Sequence, residues 1–175
     1  MEKILTLRDD DIDSATRAPR EWKERKAARS VVFDKDGNTA LLYVSSKDYH
    51  KIAGGGIEEG EDIETGLRRE IMEEIGCSIT NIRELGIIEE YRNEEALHQI
   101  SYCFLADVSG EKGSPDFDPG EIADGFEGTW LSLGEAIQTL ESERDVSDYG
   151  GKFIRLRDLT FLKAAQQYPS DNSSI

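Results

Sequence analysis

Three glutamates, Glu70, Glu73 and Glu74, stand at i, i+3 and i+4 in a stretch that ends at Gly76. On a helix their carboxylates fall on one side, within about 6 Å between Cβ atoms. Such a cluster is costly unless a cation sits among its oxygens. Converging carboxylates suit hard divalent ions such as Mg2+ or Mn2+, which keep water and substrate phosphate in their remaining positions. Taken alone, an acidic helix face is more commonly a solvated surface, with Arg69 and Glu73 a simple i,i+4 pair.

The preceding segment changes that balance. Gly54-Gly55-Gly56-Ile57-Glu58-Glu59-Gly60-Glu61 packs four glycines and three acids into a loop that delivers the chain onto the acidic helix. Glycine allows positive φ and close backbone approach, so carbonyls and amides of the loop can face a metal or a phosphate. Loop and helix read as one site.

Several elements must hold that site in place. Ile63, Leu67, Ile71 and Ile75 recur every four residues and predict a helix over 63–75 with one apolar stripe, stopped by Gly76. Before it, 28–33 and 39–44 are β-rich runs joined by the turn-rich Asp34-Lys35-Asp36-Gly37-Asn38, which predicts a hairpin. The glycine run is expected to break any strand. After the helix, 82–91 and 97–108 read as two longer strands. Residues 109–124 form a long acidic connection rich in Gly and Pro, expected to be mobile without ligand, and loops of that length are commonly functional. A strand over 126–131, a helix from Leu133 capped by Ser132, and a last helix over 152–167 complete the pattern. The expected organisation is an N-terminal extension over 1–27, a domain over 28–168 and a disordered tail over 169–175. The class is α/β, with a mixed sheet between helices.

Composition narrows the partners. Across 175 residues, 37 acids against 21 bases give a formal charge of −16, which repels polymeric nucleic acid and anionic membranes. A small phosphorylated ligand stays compatible, because a bound cation inverts the local sign. The two cysteines, Cys77 and Cys103, lack partners at metal-ligand or C-x-x-C spacing, so reduced thiols and a cytoplasmic setting are expected. No run reaches the roughly 18 apolar residues of a membrane span. Arg17, Arg20, Lys23, Arg25, Lys26 and Arg29 form a basic island around Trp22, read as a solvated segment paired with surface acids, and the extension over 1–27 is expected to dock on a second copy to give a homodimer.

The spacing itself resembles a known family. Gly55, five residues, Glu61, seven residues, Arg69-Glu70-Ile71, one residue, Glu73-Glu74, one residue, Gly76-Cys77 is similar to the Nudix box at every fixed position. Cys77 fills a final position that is usually aliphatic, and Ala53 stands where a proline commonly precedes the glycines. The resemblance implies a Nudix α/β/α sandwich with a mixed central β-sheet, of the MutT-like kind. It also implies hydrolysis of a nucleoside diphosphate linked to another group.

Roles are implied by the same resemblance. Glu70 and Glu74 would be the principal metal ligands, Glu73 a further ligand or water-bridged acid, and the Gly54 carbonyl another oxygen donor, for Mg2+ or Mn2+. Arg69 would orient Glu73 and hold the loop through Glu61. The base could be Glu70 itself or an acid of the 109–124 connection, where Glu121 is the choice. Gln99, Tyr102 and Phe104 are read as alternating along one strand and sharing a face, and with Tyr91 and Trp130 they are candidates to contact a base. His50 and His98 are expected to have surface or hydrogen-bonding roles. The substrate stays open between an oxidised dNTP, ADP-ribose and a nucleotide sugar. The alternative is a non-catalytic module that uses the same fold to bind a nucleotide or metabolite.

Overall fold

Adjacent strand residues are apolar and buried in pairs: Val31 and Val32, Leu41 and Leu42, Leu105 and Ala106. Successive side chains in a strand point to opposite faces, so such pairs mark a sheet covered on both sides. The computed structural model describes residues 1–168, and the tail expected over 169–175 lies outside the described residues.

The strands are β1 (Lys3–Arg8), β2 (Lys23–Phe33), β3 (Asn38–Val44), β4 (Tyr49–Lys51), β5 (Ala53–Gly56), β6 (Ser78–Arg92), β7 (Leu97–Ser109) and β8 (Phe126–Ser132). The helices are α1 (Ile63–Ile75), α2 (Pro119–Asp124), α3 (Leu133–Ser142) and α4 (Tyr149–Ala165). The eight strands form one mixed sheet in the order β1-β6-β7-β2-β3-β4, with β5 also on β2 and β8 on β3. Helix α1 covers one face, packing Leu67, Ile71 and Ile75 against Ala28, Val32, Leu42 and Ala106. Helices α3 and α4 cover the other through Ile137, Leu140, Phe153 and Phe161, against Val31, Leu41, Ile52 and Ile88. The architecture is an α/β/α sandwich.

Helix α1 keeps its expected bounds because both ends are encoded. The Asp62 side chain accepts a hydrogen bond from the Thr65 amide, and Gly76 closes the helix with φ +64°. Elsewhere the structure departs from the sequence reading in four places. Residues 1–27, expected as an extension, contribute β1, which runs parallel to β6 of its own chain, and bury Leu7 and Ile12 in the core. Strand β2 begins at Lys23, five positions ahead of Ala28. The partner of β1 lies some eighty residues away, and local pattern carries no trace of such pairing.

The glycine run does not break the sheet. Residues Ala53–Gly56 form β5, antiparallel to β2 from Ala27 opposite Gly56 to Ser30 opposite Ala53. A ladder of backbone hydrogen bonds needs no side chains, and here it tolerates none: a Cβ on Gly54, at φ +128°, would stand 2.3 Å from the Ala28 carbonyl oxygen.

The 109–124 connection is anchored rather than loose. The Gly113 amide donates to the Gly76 carbonyl (2.8 Å) and the Asp116 amide to that of Glu73 (2.7 Å). Its last six residues are α2, closed by a reciprocal cap between Asp118 and Glu121. Finally, Gln99 is on the opposite face of β7 from Tyr102 and Phe104. Odd spacing separates it from them, and it is fully buried, whereas they are half-buried.

Candidate functional site

Helix α1 carries its acids beside the apolar stripe that packs on the sheet, so Glu70 and Glu74 are drawn into the protein at 9% and 1% exposure. Strand β5 brings the glycine backbone against them. A Cβ on Gly55 would fall 2.2 Å from Glu70 Oε2, so only glycine lets that carboxylate lie against the strand. Glu74 accepts from the Gly54 amide (2.6 Å) and from Lys51 Nζ (2.5 Å). The same ammonium lies 3.3 Å from the Gly54 carbonyl oxygen, which also accepts from the Arg29 guanidinium at 2.8 Å.

Arg69 organises the open side. Its guanidinium spans both oxygens of Glu61 (2.8 and 3.0 Å), Glu70 Oε1 (2.9 Å), Glu73 Oε2 (3.0 Å) and the Gly56 carbonyl (2.9 Å). That grip binds the loop to the helix, as a planar fork of donors can. It holds the Glu61 carboxyl down at about 2, helped by the Glu58 amide. Arg69 is itself pushed above the ordinary guanidinium range, most strongly by Glu61.

Two acids go the other way. Burial raises the Glu70 carboxyl, against the pull of Arg69, and the charge of Glu74 adds to the rise. Glu121, on α2, is pushed up to about 7 by burial, opposed by the Asp118 amide and reinforced by the charges of Glu74 and Asp118. Glu121 also feels Lys51, so α2 and the Glu74–Lys51 pair share one electrostatic environment. Acids whose pKa is raised by burial beside other acids mark a place short of positive charge.

The expected trio of converging glutamates is not what forms. Among the described residues, no three His, Cys, Asp or Glu side chains converge as a metal-binding group. Glu73, 43% exposed, is turned toward Arg69, and Glu74 is closed on Lys51. The donor chemistry nevertheless fits a hard cation. Glu74 and the Gly54 carbonyl already surround a positive charge, the Lys51 ammonium, and Glu70 Oε2 carries no hydrogen bond among the described residues.

Lys51 is the residue that sequence reasoning missed. Nothing in its spacing marks it, since it reaches the site through the pairing of β4 with β3, Leu42 opposite Lys51. The stacking candidates are dispersed. Trp130 lies under Lys112 Nζ (3.6 Å), and Tyr91 stacks on His98 with rings 4.3 Å apart and meets Trp22 edge-on. His50 pairs with Glu143.

The model of the NUDIX domain matches residues 23–151. No curated protein matches the sequence. Among solved structures, a NUDIX hydrolase from Nitrosomonas europaea superposes with TM-score 0.61 at 18% identity, over 87% of this chain and 97% of that one. A MutT structure from work on Aliivibrio salmonicida and Vibrio cholerae gives 0.56 at 17%, over 83% and 100%. A MutT NUDIX hydrolase from Burkholderia pseudomallei gives 0.54 at 21%, over 64% and 85%. At such identities the superpositions speak for the fold, and the family model, matched over most of the chain, speaks for descent: the chain belongs to the NUDIX family, as a Nudix hydrolase.

Proposed function

We propose that the protein is a pyrophosphohydrolase that cleaves a nucleoside diphosphate linked to another moiety, by attack of water on a phosphoanhydride with a divalent metal bound. The observation that carries this reading is the cluster of acids against Gly54 and Gly55. There Glu70, Glu74 and Glu121 outnumber the one ammonium among them. Glu70, Glu74 and the Gly54 carbonyl would hold Mg2+ or Mn2+, with Glu73 reaching it by release from Arg69. When bound, the metal supplies charge neutralisation at the phosphoryl oxygens and a more acidic water.

The chain's own residues do the rest. Arg69 fixes the loop to α1, so that the donors keep their spacing while substrate enters. Glu121, half-titrated near neutral pH, accepts the proton of the attacking water, and Glu70 Oε2 is the competing acceptor. Lys51 leaves Glu74 for a phosphoryl oxygen once the site is charged. The expected partners are small phosphorylated nucleotides, with no polymeric nucleic acid or membrane. No helix among the described residues is long and apolar enough to span a bilayer. A cytoplasmic setting is proposed from two buried free thiols, Cys77 and Cys103, and a homodimer is tested by light scattering at micromolar concentration.

One observation favours the alternative of a non-catalytic binding module: Lys51 already satisfies Glu74, as a site without metal would require. A magnesium-supported screen of dNTPs, oxidised dNTPs, ADP-ribose, NADH, dinucleoside polyphosphates and nucleotide sugars separates the two. Hydrolysis with two phosphate-bearing products supports the enzyme. Saturable binding without product overturns it.

A further inference from the structure

The third glycine of the run, Gly56, has no assigned task in the box, and its neighbour is unexpected. A Cβ there would stand 3.0 Å from Arg25 NH2, 3.4 Å from Nε and 3.6 Å from Cζ, so the guanidinium lies against the bare backbone. Its other side is rooted in the protein. Arg25 NH1 donates to Gln99 Oε1 (2.9 Å), and Gln99, fully buried, donates in turn to Glu90 (3.0 Å) and Ser101 (3.2 Å). Glu90 is gripped by Arg92 and Arg157.

The Arg25 residue is nonetheless exposed, and among the described residues it makes no ion pair. Partial burial of the guanidinium and the charges of Arg157 and Arg92 lower it below the ordinary guanidinium range, and Glu70, whose Oε1 is already taken by Arg69, and Glu90 pull the other way. A guanidinium anchored from behind by Gln99, laid against the Gly56 backbone and without a carboxylate partner among the described residues, is short of anions and offers the planar fork that phosphate oxygens match.

We propose that Arg25, oriented by Gln99, is a phosphate-binding residue of the substrate site, receiving a phosphoryl group other than the one attacked, and that Gly56 is glycine to admit it. The proposal rests on the pyrophosphohydrolase reading above. It predicts that Arg25 contributes to binding and hardly to chemistry.

Inorganic pyrophosphate, titrated calorimetrically into the full chain with magnesium, probes the subsite without turnover. Arg25→Ala and Arg25→Gln should weaken its binding about tenfold or more, the loss of one charge-assisted contact. KM for the cleaved substrate should rise in parallel while kcat stays within about threefold. Any fall in thermal midpoint, from leaving the buried Gln99 oxygen without its donor, should be smaller for Arg25→Gln than for Arg25→Ala, while both variants lose pyrophosphate affinity. Unaltered pyrophosphate affinity, or a fall in kcat at constant KM, overturns the assignment. Wild-type protein that binds pyrophosphate through Arg25 yet cleaves nothing would sink the hydrolase reading and uphold the subsite. Wild type that cleaves while both variants keep their constants would do the reverse.

Discussion

Two clusters of charged side chains lie on either side of the glycine strand, and they are built on opposite principles. Behind it, fully buried Arg157 bonds to Asp158 (2.7 Å) and Glu90 (3.2 Å), while Arg92 bonds to Glu90 (2.9 Å). Arg29 adds a further cation. Burial alone would raise the Glu90 carboxyl, but Arg157, Arg92 and Arg29 override it and bring it down to about 2. In front, among the described residues, Glu61, Glu70, Glu73 and Glu74 pair with Lys51 or Arg69, Glu121 feels Lys51, and Arg25 stands at their border. There burial prevails at Glu70 and Glu121. The cluster supplied with cations is scaffold, and the one short of them has room for a ligand that brings its own.

The scaffold also touches the site. Asp158 on α4 accepts from the Ile52 amide (3.0 Å) and Arg29 on β2 donates to the Gly54 carbonyl (2.8 Å), so the scaffold holds both ends of the segment that carries the candidate metal ligand. The comparison therefore predicts different failures. Glu70→Gln should remove turnover by orders of magnitude with little change in unfolding midpoint, since it relieves a repulsion while deleting a ligand. Steady-state kinetics alongside thermal melts test this, and full magnesium-dependent activity would take Glu70 out of the site.

Arg157→Met should do the converse. It leaves Asp158 and Glu90 in a dry interior with fewer partners, a loss of about 3–5 kcal/mol when one member of a buried ionic cluster is removed. Denaturant titration measures it. A loss below about 1 kcal/mol would mean that Arg29 and Arg92 suffice, and the contrast drawn here between scaffold and site would weaken.

How much of this was legible beforehand follows from range. The box, α1 and its stop could be read because spacing, apolar stripe and Gly76 are all local. The Arg69 grip on Glu61 follows from a fixed separation that the box resemblance marks. Lys51, Gln99 and the β1–β6 pairing are long-range, and no residue type announces them. The glycine run was misread because glycine is a strand breaker by propensity, whereas here backbone proximity to β2 and to Glu70 demands it. The anchoring of 109–124 was invisible for a related reason: it runs through backbone amides at Gly113 and Asp116.

The two clusters should also separate in pH. Glu90 is depressed from about 4.5 to about 2, so its stabilisation is complete above pH 4.5 and is lost as pH falls from there toward 2. Glu121 is raised from 4.5 to about 7, so its ionisation costs the fold stability as pH rises over that interval, while it frees a carboxylate to accept a proton. Turnover should therefore climb through pH 7. Glu121→Gln should lower it about a hundredfold, within the range of a positioned base, and abolish that rise. A pH profile of kcat that is the same in the variant would return the proton to Glu70.

The smallest effect is expected where charge is merely at the surface. Glu64 and Arg68 form an i,i+4 pair on α1 at 2.7 Å, as short as Arg157 to Asp158, yet their side chains are 62% and 47% exposed. Water solvates either partner when the other is gone, and Arg68 keeps its bond to the Ile79 carbonyl (2.7 Å). Glu64→Ala should therefore change stability by no more than about 0.5 kcal/mol and leave KM and kcat alone. Measured beside Arg157→Met under one set of conditions, it isolates burial from distance. A loss approaching that of Arg157→Met would show that proximity of charge alone, and not its removal from water, governs both clusters, and the distinction between scaffold and site would have no physical basis.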